Sequence, residues 1–154
     1  MASKSTVTLT GGGVDTRDFA KFAKALRKAA PAMAVALRTN LRAAGEIVAV
    51  EARKNANEIS PDGRIAKTVK VRVSGATVSV VMGGPGAPHA APIEHKGTAG
   101  KFRHPVYGNK NVWVDQDAHP MLHPALAKAK PAAEAAAVDA LDTAIALVVS
   151  EMGV

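Results

Sequence analysis

Ser60-Pro-Asp-Gly63-Arg-Ile65-Ala-Lys-Thr-Val69-Lys-Val71-Arg-Val73-Ser-Gly75-Ala-Thr77-Val-Ser-Val-Val-Met82 is the stretch in which the apolar spacing of this chain changes. Before it, apolar residues recur every three or four positions. Within it, Ile65, Val69, Val71 and Val73 fall on one face of an extended chain, and Ala66, Thr68, Lys70 and Arg72 fall on the other. A period of two is the mark of a half-buried strand. Ser74-Gly75 turns the chain into Thr77–Met82, so the spacing predicts a β-hairpin opened by the Ser60–Gly63 turn.

On the N-terminal side, Phe19, Phe22, Ala23, Leu26, Ala30, Met33, Leu37, Leu41, Ala44 and Val48 form one helical face. Asp15 or Thr16 caps its start, and Asp18 adds negative charge to the first turn. Pro31 interrupts the run, which requires either a kink or the meeting of two helices. The opposite face is basic, with Arg17, Lys24 and Arg38 in one series and Lys21, Lys28 and Arg42 in another. Two readings stand for it: a solvated face, or a contact face for phosphates or carboxylates. No aromatic residue is interleaved with it, which argues against base stacking.

On the C-terminal side, a stretch of about 28 residues from Gly83 to Lys110, rich in Gly, Pro and His, reads as a long loop and the chief interaction element. A short strand follows at Asn111–Asp115. A last helix from about Pro120 to Met152 carries Leu122, Leu126, Ala129, Ala133, Ala137, Leu141, Ala144, Val148 and Met152 on its apolar stripe, with Pro131 inside and Gly153 as a stop. Thr6–Thr10 reads as an edge strand or arm ahead of Gly11–Gly13. The expected architecture is therefore α+β: long N- and C-terminal helices packed on a small antiparallel sheet, with a long Gly/Pro/His-rich loop. Residues 1–15 form an arm with a Gly hinge, and residues 16–154 form a single domain.

Composition limits what such a fold can do alone. Of 154 residues, 32 are Ala, and Leu, Ile, Val and Phe together supply only 34. An Ala side chain buries little apolar area, so the core is thin and a neighbouring chain is expected to complete it. The net charge of +7 is uneven: residues 1–72 carry 14 Lys/Arg against 6 Asp/Glu, and residues 128–154 carry 2 against 4. Such a field suits nucleic acid, a membrane surface or an acidic protein. There is no Cys, which excludes disulfides and thiol nucleophiles. No signal-like or membrane-spanning apolar run is present, so a soluble, unexported protein is expected.

The residues offer little chemistry. His89, His95, His104, His119 and His123 lack the spacing of a zinc site, and Pro120 and Pro124 argue against a regular helix joining the last two. Gly83-Gly84-Pro85-Gly86 lacks the Lys-Ser/Thr ending of a phosphate loop. Asp115 and Asp117 flank Gln116 as exposed strand-end carboxylates more readily than as an acid–base pair. Neither an enzyme nor a cofactor is read here.

The order of elements, together with Ile93-Glu94-His95-Lys96-Gly97 and Pro120-Met121-Leu122-His123-Pro124-Ala125-Leu126, resembles the head–tail joining (tail-completion) family of long-tailed bacteriophages. Phe102-Arg103-His104-Pro105-Val106-Tyr107-Gly108 is similar to members from phages of actinobacteria. The first motif has one residue more before its Gly than the family pattern. The resemblance implies a structural virion protein that forms a ring, a hexamer, in the neck between the head connector and the tail tube. DNA would pass through the lumen without being read, and assembly would take place in the host cytoplasm with no membrane involved. Ile93, Glu94, His95, Gly97, Phe102, Arg103, His104, Tyr107 and Trp113 are the contact residues expected on this reading. The alternatives are a tail terminator, a basic DNA-binding architectural protein, and, more distantly, a metal-dependent hydrolase.

Overall fold

The computed structural model describes residues 4–9, 16–75, 77–106 and 109–151. The fold is α+β. Two helices, α1 (Thr16–Ala29) and α2 (Pro31–Ile59), occupy the N-terminal half. Pro31 decides the alternative left open above. Ala30 leaves helical geometry (φ −142°, ψ 78°) and Pro31 becomes the first residue of α2, where its missing N–H costs nothing. The chain therefore re-starts rather than bends. The apolar face runs across the break, with Leu26, Met33, Leu37, Leu41, Ala44 and Val48 all buried. The expected cap at Asp15 and the residues Gly11–Gly13, Met152 and Gly153 lie outside the described residues.

Beyond α2, the strand begins later than its apolar spacing predicts. Ala66–Thr68 is a single 3-10 turn, closed by Thr68 Oγ1 donating to the Ile65 carbonyl at 2.6 Å and the Val69 N–H to that of Ala66 at 3.1 Å. Ile65 and Val69 are buried at the two ends of this turn, so burial that looked like alternation is produced by a compact bend. From Lys70 the period-two reading holds. β2 (Lys70–Ser74) pairs with β3 (Thr77–Gly83), Val71 opposite Val80 and Val73 opposite Val78. β1 (Lys4–Leu9) lies antiparallel along the other side of β3, so the sheet order is β1-β3-β2.

This sheet packs on the middle of α2 at Gly45. A Cβ placed there would lie 2.6 Å from Cγ1 of Val71 and 2.7 Å from Cγ1 of Val78. Both neighbours are β-branched and held in a sheet, so neither swings aside freely. Overpacking outweighs the gain in helix propensity, and Gly45→Ala is expected to lower stability by about 1–2 kcal/mol. A urea midpoint equal to or above the parent's would show that the sheet stands off from α2 more than these distances indicate.

The 28-residue loop expected from Gly83 to Lys110 is corrected. It contains α3 (Ala90–Glu94), a 3-10 turn over His95–Gly97, and β4 (Lys101–Val106), which pairs antiparallel with β5 (Asn109–Asp117). Each element is too short for its own periodicity to show. Pro92 and Pro105 lie inside two of them, and the segment is also tied to distant chain: Ala118 N–H donates to the Gly100 carbonyl at 2.7 Å, and His119 N–H to that of Ile93 at 2.9 Å.

The final helix, α4 (Leu122–Glu151), runs antiparallel to α2. Asn55, late in α2, donates to the Met121 carbonyl at 2.9 Å, while Lys128, further along α4, meets Glu51, further back in α2, at 2.8 Å. The Lys128 ammonium holds the Glu51 carboxyl below the usual carboxylate range. The seam is mostly alanine: Ala44, Ala49, Ala52 and Ala56 of α2, and Ala125, Ala129, Ala133, Ala140 and Ala144 of α4, are buried. Small side chains let the two backbones approach closely. Pro131 lies inside α4 on its exposed side and does not end it.

Candidate functional site

The two sequence motifs meet. Glu94, the last residue of α3, is fully buried, and its carboxylate faces the first turn of α4. Oε2 accepts the Met121 N–H at 2.6 Å and the Leu122 N–H at 2.9 Å; Oε1 accepts the His123 N–H at 3.0 Å and lies 2.7 Å from His123 Nδ1. The opening N–H groups of a helix have no partner within it, and the helix dipole favours negative charge beside them. The next residue, Pro124, has no N–H at all. One carboxylate and one proline therefore account for the whole N-terminus of α4. This is the physical content of Glu94 in the first motif and of Pro-Met-Leu-His-Pro in the second.

Gly97 is required by the same arrangement. His95 (φ 42°), Lys96 (φ 56°) and Gly97 (φ 80°) are three successive left-handed residues that reverse the chain after α3. A Cβ on Gly97 would stand 2.6 Å from Cβ of His123 and 2.3 Å from its Cγ. The His123 ring lies in the space that only a glycine leaves, and from there it reaches Glu94. His95 and Lys96 occupy the left-handed region, which non-glycine residues rarely adopt.

This corrects the expected surface roles of Ile93 and Glu94, since both are buried. Their chemistry is internal: they latch α3 to α4. Met121, Leu122 and His123, which complete the latch, were missed as partners. The local signal put His95 beside Glu94, whereas the carboxylate turns to a histidine 29 residues along the chain.

The remaining candidates divide between two surfaces. Phe102 and His104 share one face of the β4–β5 hairpin, with ring centroids 5.6 Å apart, and Phe102 lies 6.4 Å from the His95 ring. Arg103, between them in β4, pairs with Asp115 and Pro105 with Trp113 in the hairpin register, and Arg103 borders the same cleft as Phe102. Trp113 is 49% exposed, and every residue of β5 is exposed. Tyr107 lies outside the described residues.

In the basic series, Lys21, Lys24 and Lys28 are exposed on α1, and Arg42 is exposed on α2. Arg38 also donates to the Val73 carbonyl at 3.2 Å, tying α2 to the end of β2. Arg17 falls within α1, but its side chain is outside the described set. The break at Ala30 divides the basic series between two helices.

Among the described residues, no three His, Asp or Glu side chains gather where they could hold a metal ion, and no helix is long and apolar enough to cross a membrane. The arrangement organises a helix terminus and presents a hairpin with an exposed Val112-Trp113-Val114 run. No curated protein and no solved structure gives a significant match. Residues 20–95, from within α1 to the residue after Glu94, match the HK97-gp10-like family model, described as "Bacteriophage HK97-gp10, putative tail-component", so this part of the chain is similar to a family of bacteriophage tail components.

Proposed function

We propose that this chain is a tail-completion protein of a long-tailed bacteriophage, forming a hexameric ring in the neck between the head connector and the tail tube, with DNA passing through its lumen unread. The observation that carries this reading is apolar surface on a chain matched to a tail component. Val112, Trp113 and Val114 on the hairpin, and Val138, Ile145, Leu147 and Val149 on α4, are 39 to 54% exposed. A two-stranded hairpin is marginal by itself in water, and contiguous exposed apolar residues mark protein contacts. Closed rings of identical subunits cover such patches with no free end. Assembly takes place in the host cytoplasm, and the same surfaces would serve a tail terminator. The division into an arm (1–15) and one domain (16–154) belongs to this proposal.

The test is sedimentation and native mass of the purified chain, alone and with the head connector, beside Trp113→Glu. The half-exposed Trp113 is expected to leave the melting temperature within a few degrees of the parent's, while its charged replacement removes the ring. A Trp113→Glu protein that still assembles into complete virions would overturn the reading. The exposed lysines of α1 favour a second reading, a DNA-binding architectural protein. That reading predicts duplex affinity whose logarithm falls with log salt at a slope of about −0.9 per phosphate contacted; a flat response excludes it.

A further inference from the structure

Beside the latch, an open cleft of about 760 Å³ lies between β1, the left-handed turn, β4 and the first turn of α4. Lys4, Lys96 and Arg103 stand around it, with Pro92 and Phe102 supplying apolar wall, and none of its lining residues is an Asp or Glu. The three cations make no ion pair among the described residues. Nδ1 of His95, also at this cleft, is buried with no hydrogen-bond partner. β1 is an edge strand, and among the described residues its backbone pairs with β3 alone. An unpaired strand edge is a template for an extended peptide.

The chain carries a segment of matching chemistry. β5 is extended, exposed along its whole length and, among the described residues, pairs with β4 alone. It presents Val112, Trp113 and Val114, followed by Asp115 and Asp117.

We infer that the cleft receives β5 of a second copy of this chain, laid along the free edge of β1. In that arrangement the Asp115 and Asp117 carboxylates face Lys4, Lys96 and Arg103, and the Val/Trp run lies against Phe102 and Pro92. The inference rests on the ring reading, in which each subunit contacts the next through two different surfaces. An extended peptide suits the site better than nucleic acid: the strand edge offers backbone N–H and C=O groups in register, and a phosphodiester chain has no complement to that row.

The experiment uses the full chain, at a concentration where sedimentation shows monomer, and a fluorescent peptide of residues 111–118 read by anisotropy. The peptide is expected to bind. Lys96→Glu/Arg103→Glu, both at exposed positions, is expected to weaken it by about tenfold or more, as two charge reversals against two carboxylates would. A peptide with both aspartates changed to lysine is expected to bind the parent weakly and to recover affinity for the double variant. Absence of binding, equal affinity for parent and double variant, or displacement of the peptide by a short DNA duplex would overturn the inference. Rings formed without peptide binding refute this interface and leave the ring reading standing. Peptide binding without rings, even with the connector present, refutes the ring reading and supports the interface.

Discussion

Glu94→Gln is expected to destabilise the protein by about 3 kcal/mol, because the change leaves buried donors facing a donor. The parent carboxylate offers two acceptor oxygens to three backbone N–H groups and the His123 ring. The amide keeps one oxygen and sets an NH₂ group where the other stood, against helix-opening N–H groups of which two, those of Met121 and Leu122, belong to fully buried residues. For a chain of this length that loss corresponds to a fall of roughly 6–12 °C in melting temperature. Glu94→Ala is expected to cost more, since it also opens a cavity under the first turn of α4. Paired urea titrations are the measurement. A Glu94→Gln loss below about 1 kcal/mol, within the range of an ordinary surface substitution, would show that α4 does not depend on this cap.

Gly97→Ala is expected to have an effect of similar size through a different route. A residue with a Cβ at φ 80° loses about 1–2 kcal/mol to backbone strain. The new methyl also falls 2.3 Å from Cγ of His123, so the ring must leave and its bond to Glu94 goes with it. Together these amount to about 3–5 kcal/mol. A double-mutant cycle separates the two causes. In a His123→Gly background, which removes the Cβ as well as the ring, only the strain remains, and Gly97→Ala is expected to cost about 1–2 kcal/mol there. An undiminished cost in that background would show that His123 is not what the glycine makes room for.

The two latch predictions and the two interface tests draw on different residues. Glu94, Gly97 and His123 hold the chain together from within. Trp113, Lys96 and Arg103 are at the surface, and their substitution is expected to change association with little effect on melting. If the tail-component surfaces are those proposed, stability and assembly can be lost independently of each other.

Much of the fold was legible locally. Leu26 to Val48 form a helical face because residues three and four apart lie above one another on a helix, and that spacing needs no knowledge of what covers the face. Val71 and Val73, with Lys70 and Arg72 opposite, read as a strand for the equivalent reason. Pro31 announced a boundary, though its two outcomes differ only in the geometry of Ala30. The Gly83–Lys110 stretch resisted reading because its helix has five residues and its strand six, interrupted by Pro92 and Pro105. Nothing periodic accumulates over such lengths. Ile65–Val69 misled in the opposite direction, since a 3-10 turn buried the same residues that a strand would have buried.

By itself, the sequence determined the long helical faces, the β2–β3 hairpin, the basic N-terminal half and the scarcity of bulky apolar side chains, since each follows from neighbours along the chain or from composition. It also displayed both motifs, Ile93–Gly97 and Pro120–Leu126, without saying that they touch. Only tertiary structure decided that the Glu94 carboxylate would be enclosed on the first turn of α4, that Gly97 would yield its space to His123, and that Lys4, Lys96 and Arg103 would surround one cleft. The reason is physical. A hydrogen bond across 27 residues has no periodic trace in a sequence, and its existence depends on where α2 and the sheet have already placed the two ends.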